Sequence, residues 1–234
     1  PVWAQHAAIS GYGLYWYWLR FGPGYASHLH NYSGREHFTP HEWIALQEKA
    51  LQQALVDALK VPFYQQTWTQ EQKYSALKND LCHLPLLEKE PLRKNPKAFL
   101  RPDISPRNKL VFYTSGSTGT PLATYWTVQE LRQSMALREA RSARWANVSF
   151  VQPRATFSGR MVEPDPNSRG PFYRYNAIEK QVYFSAFHLR SDTAPHYVKA
   201  LRRHQVKWLT GYAVSYYLLA KFILEQGLEV PPLQ

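Results

Sequence analysis

Apolar residues recur at helical spacing along much of this chain, and polar residues mark where the helices begin. Ile44, Leu51, Leu55 and Ala58 fall on one helix face. Thr39 is placed to cap that helix, Pro40 suits its first turn and Glu42 completes a capping box. Val61-Pro62 should end it. The same signature returns at Thr127 and Glu130, which open a helix expected to reach about Trp145. Downstream, the pattern predicts strands over 149–151, 181–187 and 206–210 and helices over 192–204 and 215–226, the last stopped by Gly227. Three stretches break the rhythm. Gly11, Gly13, Gly22, Pro23 and Gly24 interrupt the first 34 residues, which read as irregular packing. Prolines 85, 91, 96 and 102 divide 63–106 into short helical pieces. Residues 152–176, rich in Pro, Gly, Arg and aromatics, read as one long loop, and loops of that length are often functional. Strands alternating with helices make the fold class α/β over 106–234, after a mainly helical region over 1–105.

One segment carries candidate chemistry. Thr114, Ser115, Gly116, Ser117, Thr118, Gly119 and Thr120 lie between Leu110-Val111-Phe112-Tyr113 and Leu122-Ala123-Thr124-Tyr125-Trp126. Glycines let backbone N–H groups converge on one anion, and hydroxyls add donors, so the segment reads as a phosphate cradle with ATP as the expected anion. Composition alone supports a Ser/Gly-rich hairpin turn equally well. A Walker A loop would carry Gly-Lys-Ser or Gly-Lys-Thr, yet Gly119 is followed by Thr120 and Pro121. The dinucleotide fingerprint is absent too. The flanks are rich in β-forming residues, so the local plan is strand, loop, strand.

That plan resembles the phosphate-binding signature of the adenylate-forming, AMP-binding enzymes, and within them the phenylacetate–CoA ligase family and its CapK-like branch associated with polysaccharide biosynthesis. Further segments are similar to that branch in the same order: Val61-Pro62-Phe63-Tyr64, Leu84-Pro85-Leu86-Leu87-Glu88-Lys89, Gly159-Arg160-Met161-Val162, Phe172-Tyr173-Arg174-Tyr175-Asn176, Phe184-Ser185-Ala186-Phe187-His188-Leu189 and Gly211-Tyr212-Ala213-Val214-Ser215. One departure is Leu122, where many members have lysine. The resemblance implies the N-terminal part of a large α/β domain that activates a carboxylic acid with ATP and magnesium, followed by thioester formation with coenzyme A. It implies residues 114–120 as phosphate holders and Phe157, Gly159, Arg160, Ser185, His188 and Tyr212 as the lining of the acid pocket. A complete enzyme of this kind is about twice as long, and its aromatic-Gly-x-Thr/Ser-Glu motif, which helps to hold the magnesium, would follow Gln234. The chain is therefore expected to be a fragment that is inactive alone.

Composition narrows the alternatives. At 234 residues and 44% hydrophobic the chain can bury a core. The single cysteine, Cys82, excludes a disulfide framework and favours a reducing, cytoplasmic compartment. No apolar run approaches the roughly 20 residues a membrane span needs. The formal net charge of +11 suggests nucleic acid, with sixteen Tyr and eight Trp available for stacking. The basic residues are dispersed, however, and Arg132, Arg138, Arg141 and Arg144, like Lys199, Arg202 and Arg203, read as solvated helix faces. His37 and His41 have helical metal-ligand spacing, but Pro40 intervenes and a third ligand is lacking, so no metal site is assigned. His28 and His30 would point to opposite sides of an extended chain. Ser117 lacks the nucleophile-elbow pattern. The competing functions are a non-catalytic nucleotide- or partner-binding family member and, less favoured, a basic nucleic-acid-binding module.

Overall fold

The computed structural model describes residues 1–105, 109–114 and 121–234. It is mixed α/β and divides into two compact units, Gly34–Leu131 and a second made of Pro1–Ser33 with Arg132–Gln234.

The Gly34–Leu131 unit is built on α3 (Pro40–Ala58), the shorter helices α4 (Pro62–Thr67), α5 (Gln70–Leu77) and α6 (Lys89–Lys94), and a hairpin of β1 (Lys109–Tyr113) and β2 (Ala123–Thr127). Helix α3 starts where its sequence directs: Thr39 accepts from the Glu42 N–H at 3.3 Å, and the Glu42 carboxylate accepts from the Thr39 N–H at 2.7 Å. Two of its otherwise unpaired end groups are satisfied reciprocally. Helix α5 repeats the box with Thr69 and Gln72. Leu55, Trp68 and Ala76 form the buried centre, with Leu51, Ala58 and Tyr64 against it.

The other unit holds a four-stranded sheet ordered β4-β5-β3-β6, from β3 (Arg154–Ser158), β4 (Tyr173–Asn176), β5 (Gln181–Ser185) and β6 (Trp208–Gly211). Strands β5, β3 and β6 run parallel, and β4 is antiparallel at the edge. Phe157, Val182 and Phe184 meet Tyr197 and Leu201 of α8 (Ala194–Arg203) and Leu219 of α9 (Ala213–Gln226) in the core. Gly227 ends α9 in the left-handed region, φ +59°. Gly211 is required for a different reason: its φ is +134°, and a Cβ there would collide with the Phe157 carbonyl in the neighbouring strand.

Three expectations of secondary structure are corrected. The first 34 residues are not irregular: α1 (Val2–Phe21) and α2 (Tyr25–Gly34) occupy most of them. Gly13 does not break α1 because α1 lies against β4 there, and a Cβ would meet the Asn176 side chain. The break comes at Gly22-Pro23-Gly24, between the two helices. Residues 149–151 are a turn, since the Phe150 N–H donates to the buried Glu139 carboxylate at 2.9 Å instead of to a ladder. The 152–176 stretch is a loop only in its middle, because β3 and β4 lie at its ends. Their sequences are hard to recognise as strands because each carries a buried arginine. Arg154 donates to Glu179 and Gln181 at 2.6 Å, and Arg174 donates to Glu163 at 2.9 Å.

The solvated-face reading is overturned for Arg132, on α7 (Val128–Arg138). It is buried, and it donates to the carbonyls of Leu19 at 3.1 Å, Trp18 at 3.3 Å and Pro23 at 2.9 Å. A cation therefore satisfies carbonyls at the C-terminal end of α1, where the helix dipole favours it. Lys199, Arg202 and Arg203 are exposed, as expected for a solvated face. The expected capping box at Thr127 and Glu130 is present, with the Glu130 carboxylate accepting from the Thr127 N–H at 2.6 Å and the Thr127 hydroxyl accepting from the Glu130 N–H at 3.1 Å.

Candidate functional site

In the Gly34–Leu131 unit, β1 and β2 pair without a register break from Lys109 opposite Thr127 to Tyr113 opposite Ala123. The ladder continues one step further. The Thr114 N–H donates to the Leu122 carbonyl and the Leu122 N–H donates to the Thr114 hydroxyl, both at 3.0 Å. These bonds close a neck from which the chain leaves at Thr114 and returns at Pro121 and Leu122. The candidates Ser115, Gly116, Ser117, Thr118, Gly119 and Thr120 connect the two sides of that neck and lie outside the described residues. The two expected flanking strands are thus observed, paired antiparallel. At the far end of the hairpin, Lys109, Trp126 and Glu130 border a cleft of about 290 Å³ shared with Asp57, Phe99 and Arg101. Lys60 donates to Asp57 and holds its carboxyl below the usual range, with Arg101 adding to the effect.

The other candidates all belong to the sheet-bearing unit. Gly159 and Arg160 follow the end of β3, Ser185 ends β5, and Tyr212 follows β6 as the residue before α9. The three strands are parallel, so these residues gather at one edge, the carboxyl ends, where open α/β sheets bind ligands. Gly159, Arg160 and Tyr212 are exposed there. A Cβ on Gly159 would lie 2.9 Å from the Tyr212 hydroxyl, so the phenol lies directly over that glycine. The Arg160 guanidinium sits 5.6 Å from the centre of the Tyr183 ring.

Ser185 and His188 are brought together beneath this edge. The Ser185 hydroxyl and His188 Nδ1 are 2.8 Å apart, and His188 Nε2 is 2.8 Å from the Asp165 carbonyl. A carbonyl only accepts, so in the neutral ring Nε2 carries the proton and Nδ1 accepts from Ser185. Ser185 has no exposed surface and His188 is 3% exposed, so the pair cannot receive a substrate as a serine–histidine dyad would. It ties the end of β5 to the loop before β4. The Tyr197 hydroxyl, donating to the Ser185 carbonyl at 2.7 Å, braces the same point, and burial pushes its phenol well above the ordinary value. Phe157 is not at the edge. It is fully buried, with ring contacts to Phe184, Tyr197 and Tyr216.

The chain is similar to Protein CapK of Staphylococcus aureus. The two are 26% identical over 152 residues, which is 64% of this chain and 33% of that protein. The chain therefore spans about a third of the length of the curated relative it matches. No protein-family model and no solved structure matches it. The similarity supports a CapK-like relationship.

Sequence reasoning did not find the residues that fix this edge. Asp165 contributes only a main-chain carbonyl, for which residue type gives no signal. Glu163 and Arg174 lie eleven positions apart, and their pairing appears only once the intervening loop folds back. The Arg174 hydrogen bond holds the Glu163 carboxyl below the usual range. Among the described residues, no helix is long and apolar enough to cross a membrane.

Proposed function

We propose that this chain belongs to an adenylate-forming enzyme in which a carboxylic acid is activated by ATP and then passed to coenzyme A. The observation that carries the reading is the hairpin neck at Thr114 and Leu122. It joins the two ends of a connection whose side chains are hydroxyls and whose other residues are glycines, a donor set that fits a chain of phosphates. In this reading Thr114, Ser115, Ser117, Thr118 and Thr120 and the amides around Gly116 and Gly119 hold the β- and γ-phosphates. ATP supplies the electrophilic α-phosphorus and the pyrophosphate leaving group. The protein supplies charge neutralisation and alignment, and no covalent nucleophile is needed. The exposed residues of the parallel-strand edge, Gly159, Arg160 and Tyr212, contact the acid, while Ser185 and His188 support that edge from below. The CapK similarity favours this assignment over a nucleic-acid-binding module.

The test is ATP–pyrophosphate exchange by the protein carrying this chain, across aryl, fatty and sugar acids, with Gly116→Ile as control. Exchange that depends on one class of acid and disappears in the control supports adenylation and identifies the substrate class. ATP binding without exchange, in a folded protein and with any acid, rejects it in favour of a non-catalytic nucleotide-binding role. Leu122, at the position where lysine is common, is the feature that makes this second outcome specific.

A further inference from the structure

We infer that the cleft at the start of α8 binds a small molecule through a phosphate ester. The cleft measures about 450 Å³ and lies between the 166–169 segment and the turn that enters α8. That volume falls in the range of about 300–1,000 Å³ typical of small-molecule sites and leaves room for the group that carries the phosphate. Apart from Pro166 and Phe172, its lining is polar.

The charges are arranged for an anion. Asp192 engages Arg190 through Nε at 3.2 Å and Nη2 at 3.3 Å, which orients the guanidinium and leaves Nη1 without an acceptor among the described residues. Arg169, on the opposite wall, is exposed and has no carboxylate or hydrogen-bond partner among them. Two guanidiniums thus face one carboxylate. His196 meets Phe172 edge-to-face with ring centres 5.4 Å apart, and Phe172 in turn stacks with His188 at 5.3 Å. Thr193 does not contact a ligand in this account: its hydroxyl is taken up by the His188 carbonyl at 2.6 Å and the Arg190 N–H at 3.0 Å, fixing the turn. Helix α8 has no acidic residue within its first turn, and Asp192, just before its cap residue Thr193, is the one carboxylate of the cleft lining.

The donors decide which anion. Arg169, Arg190 Nη1, His196, the Asn167 side-chain amide and the Ser168 hydroxyl together exceed what the two oxygens of a carboxylate use, and suit the three terminal oxygens of a phosphate monoester. This inference stands independently of adenylation, because it rests on residues outside both the hairpin and the parallel-strand edge.

The experiment is calorimetric titration of the protein carrying this chain at fixed low salt. The probes are glucose 1-phosphate, glucuronate as a carboxylate of similar size, and inorganic phosphate. The expected result is saturable binding of glucose 1-phosphate, tighter than either comparator. Arg169→Gln should weaken it about tenfold, the loss expected for one charged hydrogen bond, and Arg190→Gln should weaken it similarly. His37→Ala should leave it unchanged. Arg169 is exposed, so its variant should keep the native circular dichroism. Absence of saturable binding, or binding indifferent to Arg169→Gln, overturns the site. Equal affinity for glucuronate overturns the phosphate assignment, and equal affinity for inorganic phosphate overturns the ester.

Discussion

The stability of the sheet-bearing unit should fall between pH 6.5 and 4 because of one histidine. His204 follows α8, stacks on Tyr175 at 4.0 Å and meets Tyr173 edge-on at 5.3 Å. Its Nε2 is buried without a hydrogen-bond partner. Burial, aided by Arg203 and His6, pushes its pKa down from 6.5 to about 4. The folded protein therefore prefers the neutral ring, and on acidification the unfolded chain takes up the proton first. The contribution is present in full above pH 6.5 and disappears as pH falls to about 4. At about 1.36 kcal/mol for each tenfold in proton affinity, the ceiling is ~3.4 kcal/mol, of which ~2.5 is reached by pH 4.5. The ring is only partly buried, and solvent screening reduces the expected effect to about 1 kcal/mol. His204→Phe keeps the stacking surface and removes both the titration and the unpaired nitrogen. Urea unfolding at pH 7.5 and 4.5, followed by circular dichroism, compares the two proteins. The variant should match or slightly exceed the parent at pH 7.5 and lose about 1 kcal/mol less on acidification. Equal losses in both would refute the assignment, since every carboxylate is common to the pair.

Glu179→Gln should destabilise by about 3–5 kcal/mol, because it leaves the buried Arg154 without its charge partner and also removes the contact to Arg20 at 3.0 Å; urea unfolding at pH 7 reads this, and a loss below about 1 kcal/mol would count against the buried pair. Gly211→Ala should cost about 2–5 kcal/mol by adding backbone strain and a collision with the Phe157 carbonyl, measured in the same way. Ser117→Ala combined with Thr118→Ala should slow ATP–pyrophosphate exchange more than it weakens acid binding, and equal losses would argue against alignment of the phosphates by these hydroxyls. His37→Ala should change neither quantity, as an exposed residue outside every site described above.

Legibility in the sequence followed the range of the interaction. Both capping boxes read from the chain, at Thr39 and Thr127, are formed as read, because every atom involved lies within four residues. Gly227 and the hairpin flanks were legible for the same reason: αL geometry and strand propensity are local. Helix α1 was not legible, since its glycines look like breakers until Asn176, more than 160 residues away, is seen to fill the space beside Gly13. At the candidate site, the gathering of Gly159, Arg160, Ser185 and Tyr212 follows from the parallel order of three strands, which no local pattern encodes.

Buried arginines account for two of the misreadings. Arg132, Arg154 and Arg174 look like surface residues in a basic chain, and Arg154 and Arg174 made two strands look like loop. Each is buried with specific acceptors: three carbonyls for Arg132, Glu179 and Gln181 for Arg154, and Glu163 with two carbonyls for Arg174. A guanidinium has five N–H donors in a fixed plane, so it can join main-chain segments that share no ladder. Three of the 28 Lys and Arg residues are therefore internal braces, and part of the +11 charge is spent inside the fold. Arg160 and Arg169 differ from them in being exposed, Arg160 at the carboxyl edge of the sheet and Arg169 in the cleft at the start of α8. A charge held by the fold explains architecture, whereas water alone can account for an exposed charge, and that is why binding measured with substitution at Arg169 is the informative experiment: it separates a ligand from solvent.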